Sequence, residues 1–406
     1  MKTAQTTMVP ASKSQRRIYD LRYTEELIDE IFVDLHSQRI KSLANAVTGV
    51  LHAAKLSIHC IGQAYAGVAK MSPKHGVKQI DRLLSNRGLD LDYLSRCWIR
   101  YAVGTHESIT IALDWTIFDD DDHATLAAYL ITTHGRAMPL AWRTVKQSEL
   151  EGKQTSHEDA MIEFLHEQLP AATRVTLLAD RGFGRQSLYA LLSTLGWDYV
   201  VRFRECILVE SADGERRPAS EWLTPRGTAR KLVGARVTND GAVVGAVVTV
   251  RAPGMKESWC LVTSMANAPA SAIVKLYGRR FTIEETFRDT KDLHFGMGLR
   301  ATHIRKADRR DRLLLLVAVA HTLLCLLGAA AEEAGIDRHL KANTVKRRTH
   351  SLYRQGLYWY TFLSTMRQEW FLPLIRAFDR IVRTHSFLAA FFGLAHDPAA
   401  YDKIKK

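Results

Sequence analysis

Apolar residues recur at three- and four-residue spacing through the first quarter of the chain. The pattern runs through "IDEIFVDLHSQRIKSLANAVTGVLHAAK", beginning at Ile28, and again through "VKQIDRLLSNRGLDLDYLSRCWIRYAV", beginning at Val77. This spacing places the apolar side chains on one face of a helix. A turn that contains Ser72 and Pro73 precedes the second stretch. We therefore predict a small helical domain over residues 24–105.

The period of the pattern changes to two near residue 107, as expected of strands. From there the predicted elements follow one another in the order β-β-β-α-β-α-β. They are the strands "ESITIALDW" (107–115), "ATLAAYLITT" (124–133) and "AMPLAWRTV" (137–145), with a tight turn at "HGR" (134–136), a helix near Glu158 to Gln168, the buried strand "RVTLLAD" (174–180), a helix after Gly184 to about Leu195, and the strand "DYVVRFR" (198–204). This order predicts an α/β fold of the ribonuclease-H-like kind, a mixed sheet with helices on both faces, over residues 106–204 and 265–298.

A β-rich insertion separates the two parts of this predicted sheet domain. Residues 205–264 contain the apolar segments "KLVGARV", "VVGAVVTV" and "SWCLVTS", and Asn239, Asp240 and Gly241 are typical hairpin-turn residues. After the insertion we predict a helix over residues 277–291. From residue 299 to 406 the pattern is helical again. The predicted sheet domain is thus flanked by helical regions at both ends.

The helix predicted over "YGRRFTIEETFRDTK" carries an unusual stripe of polar residues. Tyr277, Arg280, Glu284 and Lys291 stand at offsets of 0, 3, 7 and 14, which places them within an arc of about 60° at roughly 100° per residue. An adjacent apolar stripe consists of Leu276, Ile283 and Phe287. The pattern predicts that the helix buries its apolar stripe and directs the polar one into a site.

The charge of the chain indicates a polyanionic partner. The 406 residues include 47% apolar and 24% charged residues, ordinary values for a globular protein, but the formal net charge is +13. An excess of Lys and Arg of this size favours phosphate contacts, so nucleic acid is the first candidate and an anionic membrane surface the second. We predict that the 24–105 domain binds DNA through Lys78 and Arg82, and that Arg300 is a further DNA contact; a solvated basic face is the alternative reading of the helix that carries Lys78.

Three further features limit the class of protein. The five cysteines form no C-x-x-C pair, which indicates neither a zinc module nor a disulfide framework and fits a reducing cytosol. Residues 1–23 contain no apolar signal segment and are expected to form a mobile tail. The apolar run from Leu313 to Ala331 is long enough to span a bilayer. Because charges of both signs flank it and His321 and Thr322 lie at its centre, we favour a buried core helix and no membrane partner.

Three acidic residues in separate parts of the chain are candidate metal ligands. Asp114 is expected to end the first strand of the sheet, and Asp180 the buried strand beside it, so both side chains would lie at one edge. Glu284 on the later helix can approach the same point. Carboxylates are the ligands that Mg²⁺ prefers, and two such ions about 4 Å apart would serve a phosphodiester displacement. The acidic run at 119–122 is interpreted as a solvated turn and is left out of this set.

The spacing of Tyr277, Arg280, Glu284 and Lys291 resembles the Tyr-Arg-Glu-Lys signature of bacterial DDE transposases of the insertion-sequence-four family. The neighbouring segments "IEETFRDTK", "GLR" (298–300) and "ANTVKRR" (342–348) are similar to those of transposases from insertion sequences that flank a tetracycline-resistance transposon. The likeness extends from about residue 35 to 365. It implies cut-and-paste DNA transposition through a hairpin intermediate, with Asp114, Asp180 and Glu284 as the catalytic, metal-binding triad and Mg²⁺ as the cofactor, for which Mn²⁺ can substitute.

The resemblance also implies roles for residues around the triad. Tyr277, Arg280 and Lys291 would hold a backbone phosphate of the non-transferred strand, and Arg202 a further phosphate. Trp259 would stack on a flipped-out base, an interaction worth roughly 1–3 kcal/mol. Without the resemblance, Trp259 is equally well read as a core aromatic, and Arg280 as an ion-pair partner of Glu284 four residues along the helix.

The expected partners are double-stranded DNA, both the terminal inverted repeats of the element and the target, and a second copy of the chain in a synaptic complex. The expected location is the bacterial cytoplasm, in association with the nucleoid. Two alternatives remain open from the residues. One is a ribonuclease-H-like nuclease that only hydrolyses DNA, and the other is a catalytically silent DNA-binding relative.

Overall fold

The computed structural model describes residues 24–383, except 105, 133–135, 226, 239 and 293–295. The predicted mobile tail, most of the "HGR" turn, the turn residue Asn239 and the chain after residue 383 lie outside this part. The described residues form two compact units. The first consists of residues up to Trp98 together with those from Arg288 onward, and the second of Ile99–Phe287. The domain boundaries given above remain predictions.

The second unit contains the predicted ribonuclease-H-like mixed sheet, which confirms the fold class. The first five strands lie in the order β3-β2-β1-β4-β5, with β1 antiparallel to β2 and parallel to β4, and β4 parallel to β5. Their bounds are β1 Ser108–Phe118, β2 His123–Ile131, β3 Ala137–Lys146, β4 Arg174–Ala179 and β5 Asp198–Phe203, with helices α6 Gln154–Gln168 and α7 Gln186–Thr194 between them. Every residue of β2 is buried, as expected of a strand that is covered on both faces.

The insertion does more than interrupt this sheet, because three of its strands extend it. β12 pairs with β5, β11 with β12 and β8 with β11, all antiparallel, to complete eight strands. The other four strands form a separate antiparallel sheet in the order β10-β9-β6-β7. The bounds are β6 Leu208–Glu210, β7 Arg216–Pro218, β8 Arg230–Val233, β9 Arg236–Val237, β10 Ala242–Val243, β11 Ala246–Val250 and β12 Trp259–Thr263. Two helices follow, α8 Ala270–Gly278 and α9 Thr282–Lys291.

The first unit is helical, as predicted for both ends of the chain. Its amino-terminal part contains α1 (24–31), α2 Ser37–Ala53, α3 Ile58–Ala69 and α4 Pro73–Leu84, and α5 Leu91–Val103 begins in it. Its carboxyl-terminal part contains α10 Ala307–Glu333, α11 Leu352–Phe362 and α12 Gln368–Arg383. Helix α4 starts at Pro73, earlier than the predicted stretch from Val77, because a missing N–H costs nothing in the first turn of a helix.

Helix α10 is the core of the first unit. It is the one described helix that is long and apolar enough to cross a membrane, and 94% of its apolar window is buried inside the protein. This burial agrees with the prediction of a core helix. At its centre, His321 stacks on Tyr353 of α11 with the ring centroids 5.0 Å apart.

Glycines allow α10 and α11 to pack with their backbones nearly in contact. A Cβ atom at Gly356 would overlap the carbonyl oxygen of Leu324, and one at Gly328 would overlap that of Leu352. Neither backbone can give way without disturbing a helix. The crossing therefore requires the absence of a side chain at both positions.

In the second unit, a buried carboxylate connects β1, α6 and the segment after β4. The side chain of Glu158 is 1% exposed. Its Oε1 accepts hydrogen bonds from Trp115 Nε1 at 2.9 Å and Gln154 Nε2 at 3.1 Å, and its Oε2 accepts one from Arg185 at 3.4 Å. Trp115 follows Asp114, and Arg185 is the fifth residue after Asp180. Glu158 thus links, through hydrogen bonds, the two segments that carry the candidate catalytic aspartates.

Substituting Gly356→Ala is expected to destabilise the protein by about 1–3 kcal/mol, because the new methyl group overpacks the α10–α11 crossing. The matched control is Gly67→Ala on α3, where a Cβ meets nothing within 4 Å and stability should rise by about 0.4–1 kcal/mol. Urea unfolding followed by circular dichroism measures both changes. Equal effects of the two substitutions would contradict the close crossing.

Substituting Glu158→Gln is expected to change how stability depends on pH. Burial raises the pKa of Glu158 above its ordinary value of 4.5, despite opposing hydrogen bonds from Trp115, Gln154 and Arg185 and the Arg185 charge. Stability from a carboxyl group with a raised pKa is complete below the unfolded value and is lost as the pH rises through the folded one. The difference between the urea midpoints of Glu158→Gln and the wild type should therefore grow in favour of the variant as the pH rises above 4.5. Glu163→Gln, an exposed change on the same helix, is the control, and an identical trend in both variants would contradict the assignment.

Candidate active site

The pairing of β1 with β4 places Asp114 beside Asp180. The last pair of this parallel ladder is Leu113 with Ala179. Asp114 and Asp180 directly follow these two residues in the chain. The prediction that Asp114 ends its strand is wrong, however. β1 continues to Phe118 because β2 keeps pairing with it after the ladder to β4 has stopped, with Asp114 opposite Ala127.

Backbone N–H groups orient both aspartates. Asp180 Oδ1 accepts a hydrogen bond of 2.8 Å from the N–H of Gly182 and thereby caps the short 3-10 turn Arg181–Phe183. Asp114 Oδ1 accepts one of 2.9 Å from the N–H of Trp115. At Gly184 a Cβ would lie 3.0 Å from Phe203 Cβ of β5, so a small residue lets the chain turn tightly beside Asp180.

The segment 277–291 is not one continuous helix, which corrects the prediction. Tyr277 lies near the end of α8, Arg280 lies in a 3-10 turn over Arg279–Phe281, and Glu284 and Lys291 lie on α9. The hydroxyl of Thr282 donates to the carbonyl of Arg279 at 2.8 Å. This side-chain bond competes with the regular helical pattern at that position and favours the tighter turn.

The apolar stripe of this segment packs on the core as predicted, with Ile283 buried and Leu276 and Phe287 partly buried. Ile283 belongs to the core cluster of the sheet, with Leu276 and Phe287 packed against it. Thr286 of α9 is bonded to the edge of β3 through both backbone groups of Ala137, at 2.9 and 3.0 Å. These contacts hold the amino-terminal half of α9 against the sheet, with Glu284 half exposed.

Arg280 lies at the centre of the candidate site and is only 6% exposed. Its Nη1 is 3.4 Å from Asp114 Oδ2, and its Nη2 is 3.0 Å from Glu284 Oε1. Burial by itself would lower the pKa of Arg280, but electrostatic interactions with Tyr277, Asp114, Asp180 and Glu284 raise it overall. All three predicted triad carboxylates therefore act on one buried guanidinium. The interpretation of Arg280 as an ion-pair partner of Glu284 is confirmed.

Tyr277 extends the cluster towards Arg202. Its side chain is 1% exposed, and burial raises its pKa against the opposing charges of Arg280 and Arg202, with Asp180 adding to the rise. Trp259 contacts Tyr277 edge-on, with the ring centroids 5.0 Å apart. The first residue of β12 thus reaches the same site as Arg202 of the neighbouring strand β5.

Phe281 is a site residue that sequence reasoning missed. Its ring is 38% exposed and stacks on Trp259 with a centroid distance of 5.7 Å and an angle of 24° between the planes. Arg280 lies over the same ring, 5.1 Å from its centroid. The sequence indicated only that Phe281 directly follows Arg280. It was missed because an apolar residue at that position is expected to be buried in the core rather than exposed at a site.

The remaining predicted DNA contacts lie in the first unit. Lys78 and Arg82 are exposed on α4, and Arg300 is exposed in the short turn Leu299–Ala301. Lys291 is partly buried at the last position of α9. Their exposure permits the predicted contacts, and their roles stay predictions.

The donor chemistry of the triad fits a hard divalent cation, since Asp114, Asp180 and Glu284 offer only carboxylate oxygens. The described residues do not include three acidic, His or Cys side chains already grouped as a metal site. The guanidinium of Arg280 instead bridges Asp114 and Glu284 and places a positive charge between them. A metal ion shared by these carboxylates requires Arg280 to exchange its partners.

Part of the chain is similar to a known protein family. Residues 144–323 match the family model of the transposase DDE domain. The matched segment includes Asp180, Arg280 and Glu284 and starts after Asp114. No curated protein matches the chain at a significant level. The matched domain and the ribonuclease-H-like sheet together support a DDE-type transposase, a class of nuclease and strand-transfer enzymes that act on DNA.

Proposed function

We propose that the chain is a cut-and-paste DNA transposase of the insertion-sequence-four family, related to the transposase of the insertion sequences that flank a tetracycline-resistance transposon. The observation that carries this proposal is that Arg280 forms ion pairs with Asp114 and Glu284, while the pairing of β1 with β4 places Asp180 beside Asp114. Tyr277 and Trp259 complete the cluster. A site that only hydrolyses phosphodiesters has no need of an aromatic pair beside its acids, so the cluster favours transposition over the simpler nuclease.

In this proposal Asp114, Asp180 and Glu284 hold Mg²⁺, or Mn²⁺ in its place. When bound, two such ions supply charge stabilisation for the attacking and leaving oxygens of a phosphodiester displacement. Arg280 makes binding of the cation and binding of DNA interdependent. A backbone phosphate offers the guanidinium a new anionic partner and thereby frees the oxygens of Asp114 and Glu284.

The proposed reaction is a series of phosphodiester exchanges at one site. Water first breaks a strand at the end of the element and leaves a 3′-hydroxyl, which then attacks the opposite strand to form a hairpin. Water reopens the hairpin, and the same 3′-hydroxyl finally joins to target DNA. Arg280, Tyr277 and Lys291 hold the phosphate of the non-transferred strand, Arg202 holds another, and Trp259 stacks on the base that leaves the helix when the hairpin closes.

The wider setting follows from the same proposal. Terminal inverted repeats and target DNA are the substrates, and two copies of the chain join the two ends in a synaptic complex. Lys78, Arg82 and Arg300 contribute phosphate contacts that position the protein without reading sequence. The working location is the bacterial cytoplasm, on the nucleoid.

Substituting Asp180→Asn should abolish strand cleavage and leave DNA binding intact. Loss of one ligand removes charge stabilisation worth several kcal/mol, which corresponds to at least about a hundredfold in rate. Labelled duplex that carries the terminal sequence of the element is incubated with Mg²⁺, and nicks and hairpins are resolved on a denaturing gel. Binding of the same duplex in EDTA is measured by fluorescence anisotropy.

The matched control for Asp180→Asn is Asp120→Asn, which removes one exposed carboxylate from the acidic turn after β1. Asp120→Asn should cleave at the wild-type rate. Cleavage by Asp180→Asn at that rate would refute the triad. Metal-independent binding by the wild type without any cleavage would instead identify a catalytically silent relative.

Substituting Trp259→Ala should separate nicking from hairpin formation. Stacking on a flipped base contributes roughly 1–3 kcal/mol, so the hairpin yield per nick should fall about tenfold or more while the first nick persists. Trp259→Phe should recover part of the yield because a smaller aromatic face remains. Equal losses of nick and hairpin would assign Trp259 to the packing of the sheet edge instead.

A further inference from the structure

Two arginines beside the candidate active site share one carboxylate oxygen. Glu257 Oε2 accepts a hydrogen bond of 2.7 Å from Arg202 Nη2 and lies 3.4 Å from Arg181 Nη1. The charges of Arg202 and Arg181, together with the bond from Arg202, hold the pKa of Glu257 below its ordinary value. The carboxylate is thus an ionised ligand of both guanidinium groups.

The three residues are connected to the candidate site through their own chain segments. Arg181 directly follows Asp180, and Glu257 stands two residues before Trp259. Arg202 lies opposite Leu261 in the β5–β12 pairing, and its charge acts on Tyr277. An anion held between Arg181 and Arg202 is therefore held at the edge of the same cluster.

The two arginines differ in how firmly they are held. The side chain of Arg202 is 17% exposed and also donates to the carbonyl of Ser258 at 3.0 Å. Those of Arg181 and Glu257 are each 56% exposed. Departure of Glu257 leaves Arg202 fixed by its backbone bond and Arg181 free to turn towards a new anion, since exposed ion pairs are weak.

We propose that Arg181 and Arg202 form a binding site for a DNA backbone phosphate, and that Glu257 occupies this site as an internal competitor in the DNA-free protein. A carboxylate oxygen shared by two guanidinium groups has the chemistry of a phosphate oxygen in the same place. Arg181 is then a phosphate contact in addition to those proposed above. The inference rests on the proposed function, since it takes DNA as the ligand.

The first test compares the DNA affinity of two variants that each lose one exposed negative charge. Glu257→Gln removes the competitor, and Glu149→Gln removes a carboxylate that forms an equally exposed ion pair with Lys146, at 2.9 Å. Fluorescence anisotropy with a short fluorescein-labelled duplex in EDTA measures the dissociation constants. Glu257→Gln should bind about three- to tenfold more tightly than the wild type, because it removes two ion pairs of a half-exposed carboxylate, each worth up to about fivefold. Glu149→Gln should remain within about twofold of the wild type.

The second test is a double-mutant cycle that separates competition from simple repulsion of DNA by Glu257. Arg181→Gln should weaken binding and reduce the slope of log affinity against log salt by about 0.9, as expected for the loss of one phosphate contact. If Glu257 acts by occupying the arginines, its removal should give a clearly smaller gain in the Arg181→Gln background. The residues changed in these tests are exposed, and melting curves confirm that each variant is folded.

Three results would overturn the phosphate site. They are a Glu257→Gln affinity equal to that of Glu149→Gln, an additive cycle, and an unchanged salt slope in Arg181→Gln. Cleavage by the wild-type protein is assayed in parallel. If the wild type cleaves DNA and one of these results appears, the phosphate site fails alone. If the wild type neither binds nor cleaves DNA, the proposed function fails and the phosphate site fails with it.

Discussion

The candidate site depends on the ion pairs that one buried guanidinium, that of Arg280, makes with two of the three candidate catalytic carboxylates. Arg280 has almost no contact with solvent, so its charge must be balanced by nearby acids, and Asp114 and Glu284 accept its hydrogen bonds while Asp180 adds to the field. A buried charge without partners costs several kcal/mol. The same arrangement reduces the repulsion between Asp114 and Glu284 in the absence of DNA. Anything that binds the acids or the arginine must therefore replace one of these interactions.

The sheet sets the positions of the acidic residues, and the insertion contributes further residues to the candidate site. Parallel pairing of β1 with β4 puts Asp114 and Asp180 at neighbouring positions, and the bonds between Thr286 and Ala137 fix α9 against β3. β12 is the last strand of the insertion but the direct neighbour of β5. It brings Trp259 and the segment with Glu257 to the side of the cluster where Arg202 lies. The insertion is thus part of the site and not an appended module.

Two glutamates near the aspartates of this site, Glu158 and Glu257, lie in contrasting environments. Glu158 is buried, carries a raised pKa caused by desolvation, and connects the neighbours of both aspartates. Glu257 is exposed, carries a lowered pKa caused by Arg202 and Arg181, and connects the arginines beside Asp180. The first is suited to hold a fixed geometry, since its departure would leave buried polar groups unpaired. The second is suited to exchange with another anion.

By itself, the sequence determined the order of the first five strands and the helices between them, the buried core helix α10, and the apolar stripe of Leu276, Ile283 and Phe287, because each depends on periodicity or on residues close together in the chain. The tertiary structure alone decided that β1 continues past Asp114, since β2 pairs with it there. It also decided that the helix predicted over 277–291 divides at Arg279–Phe281, where the hydroxyl of Thr282 donates a hydrogen bond to the carbonyl of Arg279. The tertiary structure also decided the ion-pair partners of Arg280 and Glu257. Several oppositely charged residues are possible partners for each long side chain, and only folding brings particular ones within reach.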